Sequence, residues 1–282
     1  MAPELGPDRE RPVIGFLTDF GLDGAAAICR GVMLSIARDA QIVDISHTVA
    51  KYAIRDGAYL LATAVPWLPV GVHVAVVDPG VGTDRRSIAL LTQRGDALIG
   101  PDNGLLLPAA HRLGGVTDAR VIENRSWLLP ATSSTFHGRD IFAPAAAHLA
   151  TGASFGDVGP EVDSATLVEL AAATAIVSDG HLATQVVYVD SFGNLRLAGG
   201  VAELVAAVGP VEPGMRLQVT LQDSTSEALV VARWSRTFGE TPAGELLAYE
   251  DSSGALAIAE SSGSATRRLG AGSGARIGIR RA

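Results

Sequence analysis

The chain has 282 residues, more than one average domain, and 48% of them are apolar, enough to build real cores and unlike a disordered chain. Its net charge is −8, and its arginines cluster only in pairs such as Arg267–Arg268 and Arg280–Arg281, which argues against nucleic acid as a partner. No apolar run reaches the roughly 18 to 20 residues that span a bilayer, and Cys29 stands alone, which excludes an intrachain disulfide framework and fits a reducing cytoplasm.

The N-terminal stretch MAPELGPDRERP is charged and proline-rich, so it is expected to fray rather than to act as a signal peptide. Residues 13–17 (VIGFL) form a first apolar strand that runs out at Asp19, and residues 25–37 follow as a helix. Residues 41–45 make a second strand capped by Ser46 and His47, and residues 56–65 a helix that stops before Pro66. The near-continuous apolar run 72–77 suits a strand buried on both faces of a parallel sheet. It stops at Asp78; Pro79 and Gly80 break it, Gly82 keeps the loop backbone permissive, and Arg85 follows. Residues 87–92 and 96–99 resemble a hairpin that runs into Asp102 and Asn103, and residues 105–113 are helical despite Pro108. Phe136, His137 and Asp140 precede an alanine-rich helix over 141–151. Helices alternating with apolar strands predict an α/β layer domain with a mainly parallel sheet over 12–160.

A connection spans 161–178. Beyond it, over 179–282, short strands at 181–190, 216–221, 228–234, 246–249, 256–259 and 276–279 alternate with turn signals, which predicts a small β-barrel or sandwich domain.

Polar groups gather at predicted strand ends: Asp19, Asp78 with Arg85, Asp102 with Asn103, His137 with Asp140, and Asp190 with Asn194. Each alone is a common turn or cap residue. In open α/β sheets, however, ligands sit outside the carboxyl ends of the strands, and all but the last of these groups fall at one such edge. Three chemistries compete for them. Asp19, Asp78, Asp102 and His137 could hold Mg, Mn or Zn, although no HExxH or HxH spacing is present and Arg85 would oppose a cation. A serine hydrolase would need a GxSxG elbow, which is absent. An Asp78–Arg85–His137 set acting on water is the third option: His137 takes or relays a proton while Arg85 stabilises hydroxide character. The residues alone leave the first and third open. Phosphate and Schiff-base chemistry are disfavoured, since Lys51 is the single lysine and no GxxxxGK[ST] or GxGxxG occurs. His73, His111 and His148 lack glycine-flanked loops or acidic neighbours and read as structural.

Six ordered stretches carry a more specific signal: LTDFG (17–21), VVDPGVGTDRR (76–86), PDNG (101–104), TFHGRDIFAPAAAHL (135–149), VDSFGNL (189–195) and GELLAYEDSSG (244–254). Together they resemble the adenosine-forming S-adenosylmethionine hydrolases, or SAM hydroxide adenosyltransferases, relatives of the fluorinase and chlorinase. The resemblance implies an N-terminal α/β domain, a C-terminal β-barrel, and a homotrimer with active sites between subunits. It also implies no metal or other cofactor, and attack of water on C5′ of the ribose of S-adenosylmethionine to release adenosine and L-methionine. The family's Asp-Arg-His set falls on Asp78, Arg85 and His137. Asp19 matches the acid on the ribose hydroxyls, Asp190 and Asn194 the methionine-end and adenine-end contacts, Ser252 a further contact, and Phe238 an adenine-stacking aromatic. Tyr52, Asn103, Phe136 and Phe192, polar or aromatic residues of the candidate loops, complete the expected substrate-binding set. Gly138 stands where the fluorinase-like branch has a serine that contacts halide, which disfavours fluorination; the chlorinase shares the glycine. Ser253 and Glu260 stand where the halogenases carry arginines. The rival functions are a chlorinase forming 5′-chloro-5′-deoxyadenosine and a non-catalytic adenosine-binding protein.

Overall fold

The computed structural model describes residues 11–130, 133–222 and 229–282, so most of the N-terminal stretch expected to fray, and residue 228 of one expected strand, lie outside it. Two compact units divide between Leu170 and Ala171.

In the first unit the elements run β1 (Val13–Thr18), α1 (Ala25–Ile36), β2 (Gln41–Ser46), α2 (Ile54–Ala64), β3 (Val72–Val76), β4 (Ser87–Thr92), β5 (Ala97–Pro101), α3 (Leu107–Arg112), β6 (Val116–Val121) and α4 (Ala143–Ala150). One six-stranded sheet has the order β2-β1-β3-β5-β4-β6. The β1–β2, β1–β3 and β3–β5 pairs are parallel, and β4 lies antiparallel to β5 and β6. The period of two along the central strands divides the core: Ile14, Phe16, Val74 and Val76 face α1 and α4, whereas Leu17, Ala75 and Val77 face α2 and α3. Every residue of β1 and β3 is buried, as a strand covered on both faces requires. The sheet is therefore a three-layer α/β/α arrangement whose parallel strands β1 and β3 deliver Asp19 and Asp78 at their carboxyl ends.

Three features of the first unit differ from the sequence expectation. β6 fills the sheet edge beyond β4, and residues 161–170, expected as part of the connection, pack on the first unit: Val162 N–H donates to the Ala119 carbonyl at 2.8 Å, and Val168 N–H to Asp102 at 2.9 Å. The alanine-rich helix does not begin as an α-helix. Residues Gly138–Phe142 form one π-turn in which Ala143 N–H reaches back to the Gly138 carbonyl. Pro144 has no N–H to offer the Asp140 carbonyl, which instead accepts from Leu129 N–H at 3.2 Å.

The second unit contains β7 (Ile176–Ser178), β8 (His181–Val189), β9 (Leu195–Gly200), α5 (Val201–Val208), β10 (Arg216–Leu221), β11 (Leu229–Trp234), β12 (Leu246–Glu250), β13 (Ala255–Glu260), α6 (Ala265–Leu269) and β14 (Arg276–Arg281). The order β14-β10-β11-β12-β13-β9-β8 closes on itself through β8–β14 pairing, and β7 adds a short edge to β8. The result is a seven-stranded barrel filled by Leu182, Leu195, Leu197, Leu217, Val219, Leu246, Leu256 and Ile258, with Leu204 and Leu269 contributed by α5 and α6. Closure leaves no open edge along these strands.

Candidate active site

Asp78 follows β3 and Arg85 precedes β4, and the six residues between them turn the guanidinium back onto the carboxylate. Arg85 Nε donates to both Asp78 oxygens at 2.9 and 3.0 Å, and Arg85 Nη2 closes the fork on Oδ2. Arg85 Nη1 donates to Ser87 Oγ at 2.7 Å, and Nη2 also donates to His137 Nδ1 at 2.8 Å. Phe142 lies beneath the guanidinium, 5.2 Å from ring centroid to Cζ. Asp78, Arg85 and His137 thus form one continuous hydrogen-bonded chain, with the Asp78 and Arg85 side chains only 5% and 10% exposed.

This geometry fixes the imidazole. Arginine has no acceptor, so Nδ1 of His137 must be the unprotonated nitrogen, and the neutral ring carries its proton on Nε2. Burial first, and then the charge of Arg85, push His137 below the ordinary histidine value, against the opposing pull of Asp78 and Asp140. The trio therefore offers an anion neutralised by a fork, and beside it a neutral imidazole.

Neighbouring contacts hold the loops together. Gly82 has φ +80°, and a Cβ there would collide with the Ser134 carbonyl, so glycine lets the Asp78–Arg85 loop lie against the loop that carries His137. Asp140, fully buried, accepts Ser133 N–H at 2.7 Å and a fork from Arg139 at 2.6 and 3.0 Å. Asp19 accepts the backbone N–H of Tyr52 at 2.9 Å; the Tyr52 ring is exposed and its φ is +66°. Thr18 Oγ1 bonds His47 Nδ1 at 2.9 Å, and His47 Nε2 meets Asp44 at 3.1 Å, anchoring the Asp19 loop. Phe136 packs edge-on against Phe20 at 5.8 Å. Asn103 is spent on the backbone: its amide donates to the Val77 carbonyl at 2.8 Å and accepts from Leu105 N–H at 3.2 Å. Asp102, one of the alternative metal ligands, is bonded to Arg86 at 2.8 Å and to Val168 N–H. Among the described residues no group of three or more His, Cys, Asp or Glu side chains is arranged to hold a metal ion.

On the second unit, Asp190, Phe192, Asn194, Phe238 and Ser252 line a single cleft of about 580 Å³. Asp190 organises its own turn, accepting N–H groups of Phe192 and Asn194 at 2.9 and 3.0 Å and the Asn194 amide at 2.8 Å. Phe238 stands 5.1 Å from Tyr249, and Phe192 is 77% exposed. Aromatic faces beside an amide that both donates and accepts suit a flat heterocycle with a polar edge.

Residues 14–159 match the model of the SAM hydroxide adenosyltransferase N-terminal domain, and residues 184–278 that of the C-terminal domain of the same family. A protein of Salinispora tropica named (R)-S-adenosyl-L-methionine hydrolase is 45% identical over 95% of this chain and 97% of its own length. The chain belongs to the SAM hydroxide adenosyltransferase family. The crystal structure of an uncharacterised conserved protein from Thermotoga maritima shares the family fold, with a TM-score of 0.86 at 35% identity over 95% of this chain and 100% of that one. A fluorinase of Actinopolyspora mzabensis is more distant, 27% identical over 92% of this chain and 94% of its own length.

Within this SAM hydroxide adenosyltransferase, several residues about the site were not legible in sequence. Ser87 is an ordinary strand residue until Arg85 reaches it, and Phe20 gains meaning only from its neighbours. A Cβ on Gly138 would meet the Phe20 ring at 2.9 Å, with Cys29 Sγ at 3.7 Å behind. Gly138→Ala should therefore push Phe20 off Phe136 and destabilise the first unit by about 1–3 kcal/mol, as overpacking does. Thermal melts of Gly138→Ala with and without Phe20→Leu test this, the double variant recovering part of the loss.

Proposed function

We propose that this protein hydrolyses S-adenosyl-L-methionine to adenosine and L-methionine. A water oxygen bonds to ribose C5′ as the C5′–S bond breaks with its electron pair on sulfur, and one water proton is released. The sulfonium leaves as a neutral thioether, so the leaving group needs no acid. The demanding step is to present a desolvated oxygen with hydroxide character, which bulk water near pKa 15.7 does not supply at neutral pH. The observation that carries this function is the Asp78–Arg85–His137 chain. Its guanidinium stabilises negative charge on the attacking oxygen, and its imidazole, held neutral, accepts the proton at Nδ1 as Arg85 releases that nitrogen.

Asp19 binds the ribose hydroxyls, with Tyr52, Asn103 and Phe136 in the surrounding loops. Asn194, Phe192 and Phe238 hold adenine, while Asp190 and Ser252 hold the methionine end. No metal or other cofactor takes part. The enzyme works in the cytoplasm as a homotrimer with active sites at subunit interfaces; no helix among the described residues is long and apolar enough to cross a membrane.

Purified protein incubated with S-adenosyl-L-methionine under chelator should release adenosine, followed by chromatography, and His137→Ala should slow it by roughly 10²-fold. No adenosine from folded protein would refute the assignment, and 5′-chloro-5′-deoxyadenosine on adding chloride would replace it with the halogenase. Co-expressing His137→Ala with Asn194→Ala subunits should restore part of the activity that each lacks alone, as sites built from different subunits require.

A further inference from the structure

The cleft of the second unit contains an arginine that no motif singled out. Along β9, Leu195 and Leu197 point into the barrel, so Arg196 between them faces out. The strand registers align Tyr249 of β12 opposite Ala257 of β13, and Ala257 opposite Arg196 of β9. The row thus has two long side chains flanking a methyl group, and both long side chains line the cleft.

The charges of the cleft are unequal. Asp190, Asp251 and Glu260 contribute carboxylates, and Arg196 is the one basic side chain among its lining residues. Asp251 is buried and rigidly placed, accepting Ser253 N–H and Oγ at 2.7 Å and Ala255 N–H at 3.0 Å, and it forms an ion pair with Arg196. Arg196 remains 22% exposed, so one side of its guanidinium is pinned while the group borders the cleft. Glu260 is paired with Arg268 at 3.1 Å and Asp251 with Arg196, so a ligand carboxylate entering the cleft would avoid Asp190 and meet Arg196, the cation among the lining residues. Arginine suits such a double duty, since its planar set of five N–H donors can hold one carboxylate along one edge and another along the next.

We propose that Arg196, braced by Asp251, receives the carboxylate of the amino-acid end of the substrate and so selects an amino-acid sulfonium over one lacking that group. The proposal rests on the S-adenosyl-L-methionine hydrolase assignment above. The acids of the same cleft, Asp190 and Glu260, complement the ammonium of that zwitterion. The absence of arginines at Ser253 and Glu260 is thereby made good from a different strand.

The test compares S-adenosyl-L-methionine with its decarboxylated analogue in wild type, Arg196→Lys, Arg196→Met and Arg196→Met/Asp251→Asn, the last removing the buried carboxylate left unpaired. Losing a charge-assisted contact should raise KM for S-adenosyl-L-methionine roughly 10- to 100-fold in Arg196→Met, with kcat changed little and KM for the analogue unmoved. Arg196→Lys should recover part of the difference. Equal losses on both substrates, or no loss on either, would overturn the assignment and leave Arg196 as a brace for the Asp251 loop. Calorimetry with L-methionine and 3-(methylthio)propylamine gives the same contrast without turnover. A wild type that cleaves neither sulfonium sinks the hydrolase, whereas methionine binding lost only in the Arg196 variants still supports the carboxylate contact.

Discussion

Arg85→Ala is expected to lower kcat/KM for S-adenosyl-L-methionine by roughly 10²- to 10³-fold, the size of effect seen when a preorganised donor to a developing oxyanion is removed. The same guanidinium neutralises Asp78, grips Ser87 and sets the tautomer of His137, so one deletion disturbs three neighbours. Part of the loss would be structural, because Asp78 would be left as a buried, unpaired carboxylate. Asp78→Asn/Arg85→Ala removes that component and should melt close to wild type while remaining slow. The pH profile separates charge from packing. His137 is depressed by burial and then by Arg85, and its neutral form is the one with a free electron pair. Deleting Arg85 removes a lowering charge and leaves Asp78 and Asp140 to raise the value, so the acid limb of kcat/KM should move to higher pH. Arg85→Lys keeps the charge but loses the fork, so its rate should fall while its acid limb stays nearer that of wild type. An acid limb unmoved in Arg85→Ala would mean that a group other than His137 governs it.

The trio was legible because each member combines a scarce chemistry with a glycine-marked loop at a strand end: Asp78 before Pro79-Gly80, His137 before Gly138. Local signals of that kind survive in one dimension. The same signals do not reveal that the Asn103 amide holds its own loop, donating to the Val77 carbonyl and accepting from Leu105 N–H. What sequence withheld depends on partners distant in the chain. Arg196 lies in LRL, an unremarkable strand alternation, and becomes a site residue only when β9 pairs with β13 and places it in line with Tyr249. Barrel closure rests on β14 meeting β8, strands nearly a hundred residues apart, and no alternation of apolar residues specifies which strand another will pair with. Neither β9 nor α5 is expected from the sequence, because the apolar stretch 195–208 carries no clear period; Glu203 bonding back to Gly200 N–H at 2.8 Å is what marks the start of the helix. The π-turn at Gly138–Phe142 could not be separated from ordinary helix, since Pro144 is also a normal first-turn residue.

At the opposite end of β3 from Asp78, Asp96→Ala should cost the first unit about 3–5 kcal/mol, the loss expected when one partner of a buried ionic network is removed. Asp96 is fully buried. It accepts Arg94 Nε and Nη2 at 2.6 and 2.7 Å, His73 Nε2 at 3.0 Å and Gly71 N–H at 3.2 Å. Arg94 in turn holds the carbonyls of Val65 and Pro66, so the carboxylate ties the end of α2 to the starts of β3 and β5. Burial alone would raise its pKa, but the hydrogen bonds from Arg94 and His73 override this and hold it far below the usual carboxylate range. A depressed carboxyl stabilises the fold fully above its unfolded value, near pH 4, and that contribution fades only as pH falls below it. The gap between wild type and Asp96→Asn in urea midpoint should therefore be widest above roughly pH 4 and narrow in more acidic solution. At 25 °C the folded Asp96→Asn protein should keep a kcat close to wild type, because none of its contacts touches Asp78, Arg85 or His137. A gap independent of pH, or a kcat that falls with stability, would show instead that this network acts through the strand on the catalytic end.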